Sequence, residues 1–265
     1  MTSTVPPGHQ FFVPFGEALR AYTLPDKFTY PFKYEPHPLS LRAVAELQQY
    51  LTEQNDWEHN FGLTPGQAGA VIGKMFGVLV VRTQQNEVGY LAAFSGKLAG
   101  GYHHAKFVPP VFDGLTAGSF LNIGMTELSR INHEIKALGA LTSDENLAKI
   151  DLLLELRRKN SIALQAKLFD QYNFLNQAGV VKSLREIFRG NSNPPAGAGE
   201  CAAPKLLHYA FQHNMQPLAM AEFWWGLSPK SDFWKHGHFY PACHEKCEPI
   251  LAHMLEAMAL DEKPV

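Results

Sequence analysis

Met75-Phe-Gly-Val-Leu-Val-Val-Arg82 is followed by the polar run Gln84-Gln-Asn-Glu87 and then by Val88-Gly-Tyr-Leu-Ala-Ala-Phe-Ser-Gly96. Two β-rich runs around a short polar turn predict a β-hairpin within residues 75–99. Most positions of both runs are apolar, so both faces of the pair are expected to be covered. Pro217-Leu-Ala-Met-Ala-Glu-Phe-Trp-Trp225 reads as a further short apolar strand. Leu41, Val44, Leu47, Tyr50 and Leu51 recur at helical spacing and predict a helix over 39–53, with Pro38 at its start. These readings predict an α/β protein with a small sheet (hairpin 75–99 plus strand 217–225) and flanking helices.

Outward from the hairpin, residues 1–38 are rich in Pro and aromatics and read as an extended, packed arm. Residues 103–121, with His103-His104 and Pro109-Pro110, read as a loop. Residues 126–189 contain no Pro. Ile131, Ile135, Leu138 and Leu141 lie on one stripe, and Leu147, Ile150, Leu153, Leu154, Ile162, Leu164, Leu168 and Phe174 on a second. An inserted helical hairpin with coiled-coil-like packing is expected there, with joints near 142–145 and 178–179. Gly190-Asn-Ser-Asn-Pro-Pro-Ala-Gly-Ala-Gly199 is a turn-rich linker. The α/β core is thus expected to comprise 39–125 and 190–265. Within it, a helix is predicted over 201–214, with Pro204 in its first turn, and a last helix opens at Pro241-Ala-Cys-His-Glu-Lys-Cys247.

The chain has 265 residues, 46% hydrophobic and 18% charged, with a formal net charge of −2. Disordered chains combine low hydrophobicity with high net charge, so this one is expected to fold. Near-neutral charge leaves any nucleic-acid role to a local basic patch. No apolar run reaches the length of a membrane span, and the start lacks the pattern of a secretory leader. A cytoplasmic protein is the default expectation. Three cysteines are too few, and odd in number, for a disulfide framework.

Cys243 and Cys247 stand four residues apart near a predicted helix start, which puts both sulfurs on one face. Cys201 stands at another predicted helix start. Free N–H groups at helix N-termini favour thiolates. Two such termini converging on one ion would make a three-thiolate Zn²⁺ site. His208, His236, His238 and His244 are candidates for a fourth ligand, with His238 preferred because it is near the pair without sharing its helix. The alternative is three separate core thiols, since free Cys is often buried.

Gly199-Glu-Cys-Ala-Ala-Pro-Lys-Leu-Leu-His-Tyr-Ala210, Pro217-Leu-Ala-Met-Ala-Glu-Phe-Trp-Trp-Gly226 and His238-Phe-Tyr-Pro-Ala-Cys-His-Glu-Lys-Cys-Glu-Pro-Ile-Leu251 resemble the N-terminal region of long bacterial pseudouridine synthases of the RluA type. The runs at Lys27-Phe-Thr-Tyr-Pro-Phe32, Asp56-Trp-Glu-His-Asn-Phe-Gly-Leu63, Gly73-Lys-Met-Phe-Gly-Val-Leu-Val-Val81 and Phe94-Ser-Gly-Lys-Leu-Ala-Gly100 look like the same region. The resemblance implies a pseudouridine synthase partner, in cis or in trans, and a structured RNA, tRNA or rRNA. The catalytic His-Arg-Leu-Asp run of those synthases does not occur in the sequence. The chain is therefore expected to be a fragment or a stand-alone relative without that activity.

A fainter resemblance concerns fold. Zinc nucleobase deaminases order a β-hairpin, a helix opening with a Cys/His-x-Glu ligand motif, a strand, and a helix opening with Pro-Cys-x-x-Cys. The predicted elements here follow that order. The family's proton-shuttling Glu corresponds to Ala203, and three residues rather than two separate Cys243 from Cys247. The resemblance therefore implies a deaminase-like scaffold whose metal is structural, with Glu200 and Glu222 as weak substitutes for the missing carboxylate. A deaminase-like enzyme and a purely structural interaction domain remain as alternatives.

Other features have two readings each. Trp234 and His236, among neighbouring aromatics, either stack an RNA base or form a small core. Arg157, Arg158 and Lys159, with Lys182, Arg185 and Arg189, either grip RNA or form a solvated face. His103-His104 with Lys106 reads as loop before phosphate site. Glu222 is either a buried site carboxylate or a strand-end residue with a partner.

Overall fold

In a computed structural model the chain is described over residues 10–140, 143–190 and 193–262. The start of the expected arm (1–9), Thr142 of the expected helix joint, and linker residues 191–192 lie outside them. The elements are β1 (Val13–Pro14), a 3-10 turn (Gly16–Ala21), α1 (Pro38–Glu53), β2 (Lys74–Arg82), β3 (Val88–Phe94), α2 (Phe120–Gly139), α3 (Asp144–Gln171), β4 (Asn173–Leu175), β5 (Val181–Ser183), α4 (Leu184–Ile187), α5 (Ala202–Gln212), β6 (Gln216–Trp225), β7 (Phe239–Tyr240) and α6 (His244–Met254).

The predicted hairpin is β2–β3, paired from Phe76↔Phe94 to Arg82↔Val88. β6 lies antiparallel on the other side of β2, with Gly77 opposite Glu222. The five-stranded sheet has the order β1-β3-β2-β6-β7. Alternation along the strands sends Phe76, Val78, Val80, Phe94, Ala219, Ala221 and Phe223 into one core with Leu39, Ala43, Val44, Leu47 and Leu51 of α1. Leu41, expected on the apolar stripe, is instead exposed. The opposite face of the sheet packs on α5, which also contacts α6. Both faces of the hairpin are thus covered, as its unbroken apolar runs require. Each fully buried Leu or Phe contributes roughly 1.5–3 kcal/mol.

β7 pairs with β6 only at Glu222↔Tyr240 and Phe223↔Phe239. The aromatic arm serves more of that edge. Thr29 Oγ1 accepts from Met220 N at 3.2 Å, and Tyr34 Oη accepts from Glu222 N at 2.9 Å. Two edge amides that would otherwise be buried without acceptors are thereby satisfied.

The chain divides into two units: the first runs up to Val111 and from Asn173 on, and the second is Phe112–Tyr172. The inserted helical segment was expected over 126–189, but the helices end at Gln171. Residues 173–183 form the β4–β5 hairpin of the first unit, and Ser183 caps α4 through a capping box with Glu186. Asn176 Oδ1 accepts from Val180 N at 2.8 Å, and Gly179 adopts φ +81° to turn the chain. Phe174 fits the helical stripe by spacing alone; its side chain is fully buried in the core unit. Within the second unit, Lys149 Nζ of α3 meets Glu134 Oε1 of α2 at 3.1 Å, and a Cβ on Gly124 would meet Leu164 Cδ1 at 2.6 Å. These contacts make α2 and α3 an antiparallel pair. Leu147, Leu154 and Ile162 of the second expected stripe are exposed.

Candidate metal centre

α5 and α6 begin at the same place. Cys201 is the N-cap of α5, and Cys243 is the N-cap of α6, with Cys247 one turn further on. The start of α5 is tied to the end of β3: Ala202 N donates to Ser95 Oγ at 3.2 Å, and Gly96 N donates to Glu200 O at 2.8 Å. Gly77 of β2 lets α5 approach the sheet. A Cβ there would stand 3.0 Å from Ala202 Cβ, 3.2 Å from Leu206 Cδ1 and 3.4 Å from Glu222 Cγ.

The sulfurs of Cys201, Cys243 and Cys247 all lie within 4.8 Å of one another, and Cys243 Sγ is 3.4 Å from Cys247 Sγ. Tetrahedral bonds of about 2.3 Å separate sulfurs by about 3.8 Å, so this donor set fits one metal ion. Cys247 is buried, Cys201 half-buried and Cys243 exposed. Hydrogen bonding with the Cys201 and Cys247 sulfurs pulls the Cys243 thiol well below its ordinary value; the Lys246 and Cys247 N–H groups of the helix end assist. Cys201 and Cys247 are correspondingly pushed up by hydrogen bonding among the sulfurs and by burial. The sequence expectation of three cysteines at two helix starts holds, and separate core thiols do not.

Glu222 adds a fourth acidic group. It is 3% exposed, and its Oε1 accepts from Ala203 N at 3.3 Å. Burial pushes its carboxyl up to about 8; the Ala203 N–H opposes that, and the Cys243 sulfur adds to it. Glu222 in turn acts on Cys201 and Cys247.

Other expected participants stand elsewhere. His238, the preferred fourth ligand, is exposed and lies outside the group of mutually close donors among the described residues. Its backbone carbonyl accepts from Trp224 N at 2.9 Å. His208 Nδ1 accepts from Leu175 N, His236 Nδ1 accepts from Gly226 N, and His244 pairs with Glu248 at 2.9 Å while stacking on Phe32. Glu200 accepts from Tyr102 Oη at 3.0 Å. Nε2 of His104 bonds Leu98 O, and Lys106 Nζ donates to Tyr90 Oη. These are loop-building contacts, in line with the loop reading of 103–106.

The basic residues do not share one element. Arg157, Arg158 and Lys159 belong to α3 of the second unit, with Lys159 paired to Glu155 at 3.0 Å. Lys182, Arg185 and Arg189 lie at or beside β5 and α4 of the first unit. The single basic arm read from the sequence is therefore split between two units, because the helices stop before Lys182.

Trp224 stacks on Trp234 with ring centroids 5.0 Å apart and planes inclined by 20°. Trp234 also meets Tyr240 at 4.7 Å and Phe233 at 4.8 Å. Lys205 was missed from sequence. It is 3% exposed and donates to Phe94 O at 2.9 Å and Gly96 O at 3.2 Å. Burial pushes its amine down to about 8, against the opposing pull of Glu200 and Cys201. Its position in an apolar helix, Pro204-Lys-Leu-Leu207, was the available signal.

Compared with family models, curated proteins and solved structures, the chain matches none. Among the described residues no helix is long and apolar enough to cross a membrane.

Proposed function

We propose that this chain is a zinc-binding module that positions structured RNA, a tRNA or rRNA, for a pseudouridine synthase domain. The observation that carries the metal part is the convergence of three cysteine sulfurs at two helix N-termini. Zinc is the reading favoured by thiolate donors at tetrahedral spacing. Cys201, Cys243 and Cys247 would hold it and clamp α5 to α6. The RNA part rests on the resemblance of the Cys-bearing segments to the accessory region of RluA-type synthases.

The order of elements supports a deaminase-like scaffold beneath this centre. A hairpin, a helix opening at a Cys, a strand and a second helix opening at a Cys follow one another around the sheet. The α2–α3 unit is inserted between hairpin and first ligand helix.

The test has two arms. Metal analysis of the purified chain is expected to give one zinc per chain, lost in Cys243→Ser. Binding of tRNA and rRNA fragments at low salt, weakening steeply as salt rises, supports the RNA role. Absence of RNA binding at low salt, with no effect of the chain on synthase activity, overturns it.

A further inference from the structure

The α2–α3 pair covers little of its own apolar surface. Among the described residues, Leu128 and Ile131 are the only buried ones of α2, and Phe169 is the only one of α3. The seam between the helices is also partly polar. Leu164 meets the Cα of Gly124 closely, and Arg157, seven residues before Leu164, faces the same way. Arg157 Nε is buried there without a hydrogen-bond partner. An unsatisfied buried donor weakens such a seam. Helices with this much uncovered apolar surface pack in bundles, where each has more than one neighbour.

Glu134 of α2 and Lys149 of α3, 3.1 Å apart, mark one side of the pair. At about 100° per residue, Leu156 and Ala163, seven and fourteen residues beyond Lys149, face that side, and Leu152 lies close to it. Ile123 stands about three turns before Glu134 and faces it too. Leu152 is 69% exposed and Ile123 64%. A groove of about 340 Å³ opens on the same side, lined by Phe120, Ile123, Gly124, Ala163 and Leu164 among others. Met125 and Leu147 stand two residues from Ile123 and Lys149, about 200° round their helices, and belong with Leu154 to the opposite side.

We infer that the Ile123–Leu152–Leu156 side of the pair is a dimer interface, covered by the same side of a second copy of this chain. Two helix pairs stacked face to face make a four-helix bundle. A two-fold axis along the helices sets α2 of one copy against α3 of the other, so each helix is antiparallel to both neighbours. That arrangement lays Ile123 of each copy over the Ala163 groove of its partner. It also matches charge. On this side α3 offers Lys149 and Lys167, while α2 offers Glu127 and Glu134, bridged by Arg130, with one net negative charge. The extent is sufficient. α2 is about 30 Å long and two helices are about 20 Å wide, a face of roughly 600 Å² in projection. The accessible area buried by interdigitating side chains exceeds the projection and approaches the roughly 800 Å² per partner of a stable dimer.

Analytical ultracentrifugation of the full chain at micromolar concentration tests this. Wild type is expected to sediment at twice the mass of one chain. Leu152→Glu with Leu156→Glu places carboxylates in the interface and is expected to raise the dissociation constant about 100-fold or more. Leu147→Glu with Leu154→Glu, on the opposite side, is expected to leave it unchanged. Far-UV circular dichroism reports helix content, and if the first variant loses helix, Ile123→Glu on α2 carries the same test. A monomeric wild type overturns the inference. So does a dimer that survives substitution on the Ile123–Leu152–Leu156 side, or one that weakens equally with the opposite-side variant.

Discussion

The Oε1 atom of Glu222 on β6 accepts a hydrogen bond from the backbone N–H of Ala203 at 3.3 Å. That bond joins a strand to the first turn of α5, where the helix has N–H groups without intrahelical partners. It also places a buried carboxylate beside three sulfurs that share the same helix ends. The clustering of these groups makes the α5–α6 junction the place among the described residues where a metal ion could be held.

Chelation is therefore expected to lower thermal stability. Metal held by folded but not unfolded chain stabilises in proportion to its binding free energy. Removing it, or introducing Cys247→Ser, is expected to lower Tm by about 10 °C or more, given that roughly 1 kcal/mol corresponds to 2–4 °C at this size. Differential scanning calorimetry with and without chelator checks this, and equal Tm values would refute it.

Gly77→Ala tests the approach of α5 to the sheet. The added Cβ would stand 3.0 Å from Ala202 Cβ, beside the first ligand. Overpacking of this kind costs about 1–3 kcal/mol, and metal affinity is expected to fall with it. Gly139→Ala is the control: nothing lies within 4 Å of its Cβ position at the end of α2. Urea titration of both variants is expected to show a loss for the first and no loss for the second.

Lys205→Met removes two charge-assisted hydrogen bonds while keeping most of the side-chain volume. The carbonyls of Phe94 and Gly96 then lose their lysine donor at the end of β3. A loss of about 1.5–3 kcal/mol is expected in denaturant unfolding. An unchanged midpoint would show that these contacts contribute nothing.

His208 predicts a loss of stability in mild acid. Burial pushes its imidazole down to about 4, and its Nδ1 accepts from Leu175 N. The unfolded chain takes up this proton near the ordinary value of about 6.5, the folded chain only near 4. Between those values the unfolded state binds more protons, so stability present above pH 6.5 falls as pH drops towards 4. The contribution reaches up to about 3 kcal/mol at the acid end. His208→Gln is expected to flatten that slope in unfolding measured from pH 7 to pH 4; an unaltered slope assigns it elsewhere.

Much of this protein is written locally. The runs 75–82 and 88–96 specify a hairpin because their apolar residues leave no polar face, and the paired register Leu79↔Leu91 buries both partners. Pro38 with the apolar spacing after it, and Pro204, specify helix starts, because Pro is pre-organised for the first turn of a helix and lacks only an N–H that would have no partner there. The end of the helical pair was not legible. Phe174 continues the stripe by spacing, and only its burial in the core unit shows that it left the helix.

The sequence by itself determined a small sheet covered on both faces and three cysteines poised at helix N-termini. Tertiary structure alone decided that those cysteines meet. Cys201 and Cys243 are separated by a whole helix and two strands with the loop between them, and only the packing of α5 on the sheet and of α6 on α5 brings their sulfurs within reach of one ion. The same packing turned Glu222 from a strand residue facing one side into a carboxylate on Ala203's N–H. Alternation dictates which side a residue faces; what it meets there depends on contacts between distant segments.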